Sequence, residues 1–106
     1  MSDRRDALLA EYAALPPAGS PGRGDAVKRF CRRWETRIWG LHRHYKGGLY
    51  IAHGLAIAEA DLSVMVAYTA ADGSQWLRPV ENFLGEVSPG VRRFRRVRPK
   101  SPPGTA

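Results

Sequence analysis

Arg43-His44-Tyr45-Lys46-Gly47-Gly48-Leu49-Tyr50 is the stretch whose reading decides the fold. It sets an alternating segment, a glycine-assisted turn and the start of a second extended segment side by side, the pattern of a β-hairpin. His42 to Tyr45 reads as a first strand and Leu49 to Ile57 as a second, with a bulge or bend expected at Gly54, where a side chain is missing from the pleat. Downstream, Glu59-Ala60-Asp61 reads as a turn and Leu62 to Thr69 as a third strand. Asp72-Gly73 is a tight hairpin signal leading into a fourth strand, Gln75 to Arg78. Pro79 to Phe83 reads as one helical turn, Gly85 as a break, and Phe94 to Val97 as a last strand. This pattern predicts a mainly β fold: a small SH3-like, partly open barrel of about five strands over 38–98, with an N-terminal helical extension.

Upstream of residue 38 the period is helical. Leu8, Leu9, Tyr12 and Leu15 recur on one face of a helix capped by Ser2 or Asp3 and stopped by Pro16-Pro17. Pro16 to Gly24 holds three prolines and three glycines, so 1–24 is read as a helix followed by a linker. Asp25 is read as the N-cap of a second helix ending near Arg37, with Val27, Phe30, Cys31 and Trp34 as its apolar stripe. The tail, 99–106, has three prolines and no aliphatic core residue beyond Ala106, and is expected to be disordered.

The blocks Arg43-His44-Tyr45-Lys46-Gly47, Leu49-Tyr50, Gly54, Ala56, Tyr68 and Trp76-Leu77-Arg78-Pro79-Val80-Glu81-Asn82-Phe83-Leu84, closing with Arg93-Phe94, together resemble a bacterial family catalogued as domain of unknown function 1653. The resemblance runs from Gly40 to about Val97 and leaves the first forty residues as an addition. It implies a fold and no chemistry. Two departures stand out: Ile51, where the family pattern is acidic, and Ile57-Ala58-Glu59, where it is polar.

Among the 106 residues, 17 Lys and Arg face 10 Asp and Glu, for a formal charge of +7 and a pI near 10.3. Such a balance points to a polyanionic partner, because positive potential speeds encounter and releases counterions. Two segments concentrate the charge. Lys28, Arg29, Arg32, Arg33 and Arg37 lie on the second helix, and Arg92-Arg93-Phe94-Arg95-Arg96-Val97-Arg98-Pro99-Lys100 carries six cations with no opposing carboxylate. Arginine suits bidentate phosphate contact better than lysine does. Tyr45, Tyr50 and Trp76, each near a turn and beside Lys46 or Arg78, are candidates for stacking a base or surrounding a cation. The candidate binding residues are therefore Arg32, Arg33, Arg43, Tyr45, Lys46, Tyr50, Trp76, Arg78, Arg92, Arg95, Arg96 and Arg98.

No catalytic constellation is visible. Cys31 sits on an apolar stripe, where a free thiol is a small hydrophobe, and with His42, His44 and His53 it lacks the paired short spacings of structural zinc. Neither a metal nor another cofactor is expected. A single cysteine excludes an intrachain disulfide and fits a reducing cytoplasm. No apolar run reaches the ~18 residues of a membrane span, and the charged N-terminus is unlike a signal peptide. The expected function is that of a non-enzymatic, cytoplasmic, basic binding module contacting nucleic acid, or a nucleic-acid-containing complex, through phosphates. The alternatives are an adaptor or inhibitor docking an acidic protein surface, and recognition of a small ligand or nucleotide between Tyr45, Tyr50 and Trp76.

Overall fold

The structure is a computed structural model that describes residues 4–97. Ser2, Asp3, Arg98 and the tail expected to be disordered lie outside those residues.

Two helices precede the β-region. α1 (Arg4–Ala13) is followed by a turn in which Ser20 Oγ donates to the Pro17 carbonyl, and α2 (Arg23–Ile38) comes next. α2 begins two residues before Asp25, the residue expected to cap it. The N-cap position is Gly22, with no side-chain cap, and Asp25 instead occupies the first turn, where a carboxylate favours the positive end of the helix dipole. The early start has a tertiary cause. Arg23, only 8% exposed, donates Nε and Nη2 to the Leu62 carbonyl at 3.2 and 3.0 Å and Nη1 to the Pro16 carbonyl at 3.1 Å. One buried guanidinium thus fastens the Pro/Gly segment to the body of the protein. Leu62, whose carbonyl accepts two of these bonds, has a φ of +58°, a conformation an L-residue rarely adopts.

The β-region runs β1 (Gly40–His44), β2 (Leu49–Ala58), β3 (Ser63–Ala70), β4 (Gln75–Pro79), the one-turn helix α3 (Val80–Phe83), β5 (Glu86–Ser88), β6 (Val91–Arg92) and β7 (Phe94–Arg96). β5 and β6 form a small hairpin that the sequence pattern does not reveal. The other five strands make one antiparallel sheet in the order β4-β3-β2-β1-β7. The sheet does not close: its edges, β4 and β7, are not paired. β7 is three residues long and β4 ends on Pro79, which has no amide to donate. Side chains span the gap instead, with the Arg78 guanidinium 5.9 Å from the centre of the Phe94 ring.

The expected bulge in β2 is present, with the pairing to β3 shifting register between Ala52 and Gly54. Gly54 has a φ of +151°, and a Cβ there would lie 3.1 Å from Cγ of Glu35 on α2, so glycine admits the helix close to the sheet. α2 buries Ala26, Val27, Phe30, Trp34 and Ile38, a wider stripe than the sequence reading drew; Cys31 is half-buried at its border. That stripe meets Ala52, Val64, Val66 and Tyr68 of the sheet, Val80 and Phe83 of α3, and Phe94 of β7. Leu8 brings α1 onto the same core.

Burial separates the aromatic side chains into two kinds, and this can be measured. Phe30→Ala is expected to cost roughly 3–5 kcal/mol in urea denaturation, because it empties the centre of the core. Trp76→Ala, which removes a side chain 55% exposed on the edge strand, is expected to cost less than about 1 kcal/mol.

Candidate functional site

α1 lies along α2, with Tyr12 against Phe30 (ring centres 5.5 Å apart) and Glu11 paired to Arg33 at 3.2 Å. This places the start of α1 beside the end of α2, next to the last strand. Arg5 Nε donates to the Leu84 carbonyl at 2.6 Å and pins that corner. The result is a cleft of about 290 Å³ walled by Arg4, Arg5, Arg37, Arg92, Arg95 and Arg96. Leu8, Ile38, Leu84, Phe94 and His42 complete its lining, and no carboxylate contributes to it.

The arginines divide by role. Arg96 donates Nη1 to the Arg37 carbonyl and Nη2 to the Trp39 carbonyl, both at 2.7 Å, satisfying groups that the end of α2 leaves without helical partners. It is a strut between β7 and α2. Among the described residues the guanidiniums of Arg4, Arg37 and Arg95 make no hydrogen bond or ion pair, so their donors remain available to a ligand. A second concavity, of about 300 Å³, lies alongside, lined by Arg43, His44, Tyr45, Gly90 and Val91 and sharing Arg92 and Arg95 with the first. The two form one basic zone around β7.

Five of the twelve residues marked as candidates from the sequence line this zone, and the other described ones do not. Arg43, Tyr45, Arg92, Arg95 and Arg96 line it. Lys46 adjoins it, with Nζ 5.7 Å from the centre of the Tyr45 ring. Arg33 is drawn to Glu11 and lies 5.4 Å from the Trp34 ring, while Arg32 is exposed on α2 away from both linings. Tyr50 is half-buried within an aromatic cluster, edge-on to Tyr68 and Phe94. Arg78 is partly buried and donates to Asn82 at 2.5 Å and to the Tyr68 hydroxyl at 3.4 Å. Trp76 stands on the opposite edge strand, its Nε1 donating to Ser74 Oγ at 2.7 Å. No ring contact joins Trp76 to Tyr45 or Tyr50 among the described residues, so the three do not wall a common slot.

Arg4, Arg5, Arg37 and His42 were not singled out as site residues. Arg37 belongs to a segment already marked as basic. Nothing in the local pattern points to Arg4 and Arg5, because the antiparallel packing of α1 on α2 puts them there. The three histidines go separate ways: His42 lies edge-on to Phe83, His44 edge-on to Phe94, and His53 bonds Thr69 Oγ1. Burial, and then Glu35, push the Cys31 thiol above its ordinary pKa, which is the reverse of an activated nucleophile.

The family described as "Protein of unknown function (DUF1653)" matches residues 40–98. In structure the chain is similar to a DUF1653 protein from Bordetella bronchiseptica, with 33% sequence identity and a TM-score of 0.51, over 59% of this chain and 90% of that one. No curated protein matches. The family match begins at Gly40, so α1 and α2 lie outside it. The cleft is thus assembled across a seam, with Arg92, Arg95 and Arg96 inside the matched region and Arg4, Arg5 and Arg37 outside it.

His42 makes this corner sensitive to pH. Burial lowers its pKa, a hydrogen bond to the Gly40 carbonyl partly offsets that, and Arg96 lowers it further. The unfolded chain therefore takes up the proton more readily than the folded one. The contribution of His42 to stability is complete above its ordinary value of 6.5 and falls as pH drops below it toward the depressed folded value. Urea midpoints measured from pH 8 to pH 5 are expected to fall on the acid side, and the fall to shrink in His42→Gln.

Proposed function

The chain belongs to the DUF1653 family, and from that premise we propose that it is a non-enzymatic, basic binding module that holds nucleic acid by its phosphates in the arginine cleft. The observation that carries this reading is the cleft lining: six arginines and no carboxylate around about 290 Å³. Arg5 is paired with Asp6 at 2.9 Å, but the other cations gathered at this corner repel one another, and an anion relieves that repulsion while accepting paired N–H donors. Protein of such charge gains affinity by releasing counterions from a nucleic acid. The strand order, with the last strand returning beside the first after a one-turn helix, is the connectivity of an SH3-like fold, and we read it as such. One cysteine and no disulfide fit action in the cytoplasm.

A second reading, docking on an acidic protein surface, draws on a different observation. Leu41, Leu49 and Ile51 are exposed on neighbouring strands beside Arg43, an apolar patch with a cationic rim.

Fluorescence anisotropy with labelled oligonucleotides across a salt series separates the two. About four neutralised phosphates give a log–log slope near −3 and a loss of roughly fiftyfold between ~50 and ~200 mM salt. Arg37→Gln and Arg95→Gln are each expected to flatten that slope by about one unit, and Arg32→Gln to leave it nearly unchanged. No binding at low salt would remove the nucleic-acid reading in favour of the protein-docking one.

A further inference from the structure

We infer that the nucleic acid is single-stranded, and that it crosses β7 from one concavity to the other with a base stacked on Tyr45. The inference rests on the proposed function and names the ligand class for the same site.

Shape is the first argument. The basic zone is two concavities of about 290 and 300 Å³ that share Arg92 and Arg95. These are at the small end of ligand pockets. A duplex keeps its bases stacked inside a stiff cylinder and offers only phosphates to such cups, whereas a single strand can splay a base into each. Arg92 and Arg95, common to both linings, stand where the linking phosphate would pass.

Lining is the second. Leu8, Ile38 and Phe94 are core residues under the floor of the first cleft, and the half-buried Leu84 is the apolar side chain that reaches its lining among the arginines. An apolar contact of that kind, ringed by cations, suits a sugar or base edge joined to a phosphate.

Tyr45 is the third. Its side chain is 44% exposed at the edge of the second concavity. Its backbone N–H donates to the Arg93 carbonyl at 2.9 Å, and its ring lies 4.6 Å from that of His44. Lys46 sits beside the ring as a further cation. The ring is exposed but already positioned, so stacking a base on it costs little ordering.

The test uses the full chain with a labelled single-stranded DNA dodecamer, the same dodecamer as a duplex, and inorganic polyphosphate as competitor, all at low salt. The single strand is expected to bind at least about tenfold more tightly than the duplex. Tyr45→Ala and Tyr45→Leu are expected to lose about tenfold for the single strand, the usual worth of one stacked base, and Tyr45→Phe to bind as the parent does. Polyphosphate is expected to compete equally well with the parent and Tyr45→Ala, since it has no base to stack. Equal affinity for the two DNA forms, or an undiminished Tyr45→Leu, overturns this inference and leaves the phosphate-binding reading intact. Failure to bind either form overturns both.

Discussion

Phe94 is the side chain on which the architecture turns. Its ring stacks on Phe83 with centres 4.1 Å apart and planes 9° from parallel, and meets His44, Tyr50 and Tyr68 at steeper angles. A three-residue strand has too few ladder bonds to stay on the sheet edge by itself. Burying one phenylalanine contributes about 1.5–3 kcal/mol toward keeping it there. That anchor holds Arg92, Arg93, Arg95 and Arg96 around a single apolar point, against their mutual repulsion. Arg96 then turns part of the charge to structural use by bonding the two carbonyls at the end of α2. The core residue that secures the last strand is also part of the cleft lining, so fold and site share one support.

The helices complete what the family region begins. Gly40 opens both the first strand and the family match, and the elements before it among the described residues are the helices α1 and α2. Without α1 and α2 the strand arginines would border an open edge. With them, Arg4, Arg5 and Arg37 form a facing wall, seated on the buried Leu8 and Ile38. Concavity, rather than charge alone, is what the N-terminal addition brings to the family's sheet. A family pattern read from residue 40 onward has no means of showing it.

The parts of this arrangement legible in the sequence are those fixed by neighbours along the chain. Asp72 accepts from Ser74 N–H at 2.9 Å in the tight turn its residue type suggests, and Gly54 bends β2 where its lack of a side chain allowed. The spacing of Val27, Phe30 and Trp34 shows which face of α2 is buried. Long-range contacts were not legible. Arg23 looks like one more linker residue until its bonds to Leu62 and Pro16 are seen, and they move the start of α2. Whether the sheet closes depends on two short edges, which no local pattern specifies. Trp76 satisfies the expectation for a strand residue and still faces solvent, because β4 is the edge of the sheet. Of the site, the strand arginines and Tyr45 could be picked out from charge and turn position, and Arg37 as part of a basic segment, but Arg4 and Arg5 could not.

An anion seated between the helix end and β7 can be followed through the arginine Nε–Hε NMR signals while a short single-stranded oligonucleotide is titrated in. The signals of Arg37, Arg92 and Arg95 are expected to shift together and saturate at one concentration, while those of Arg32 and Arg78 stay in place. Shifts centred on Arg32, or spread evenly over all the exposed arginines, would contradict this seating.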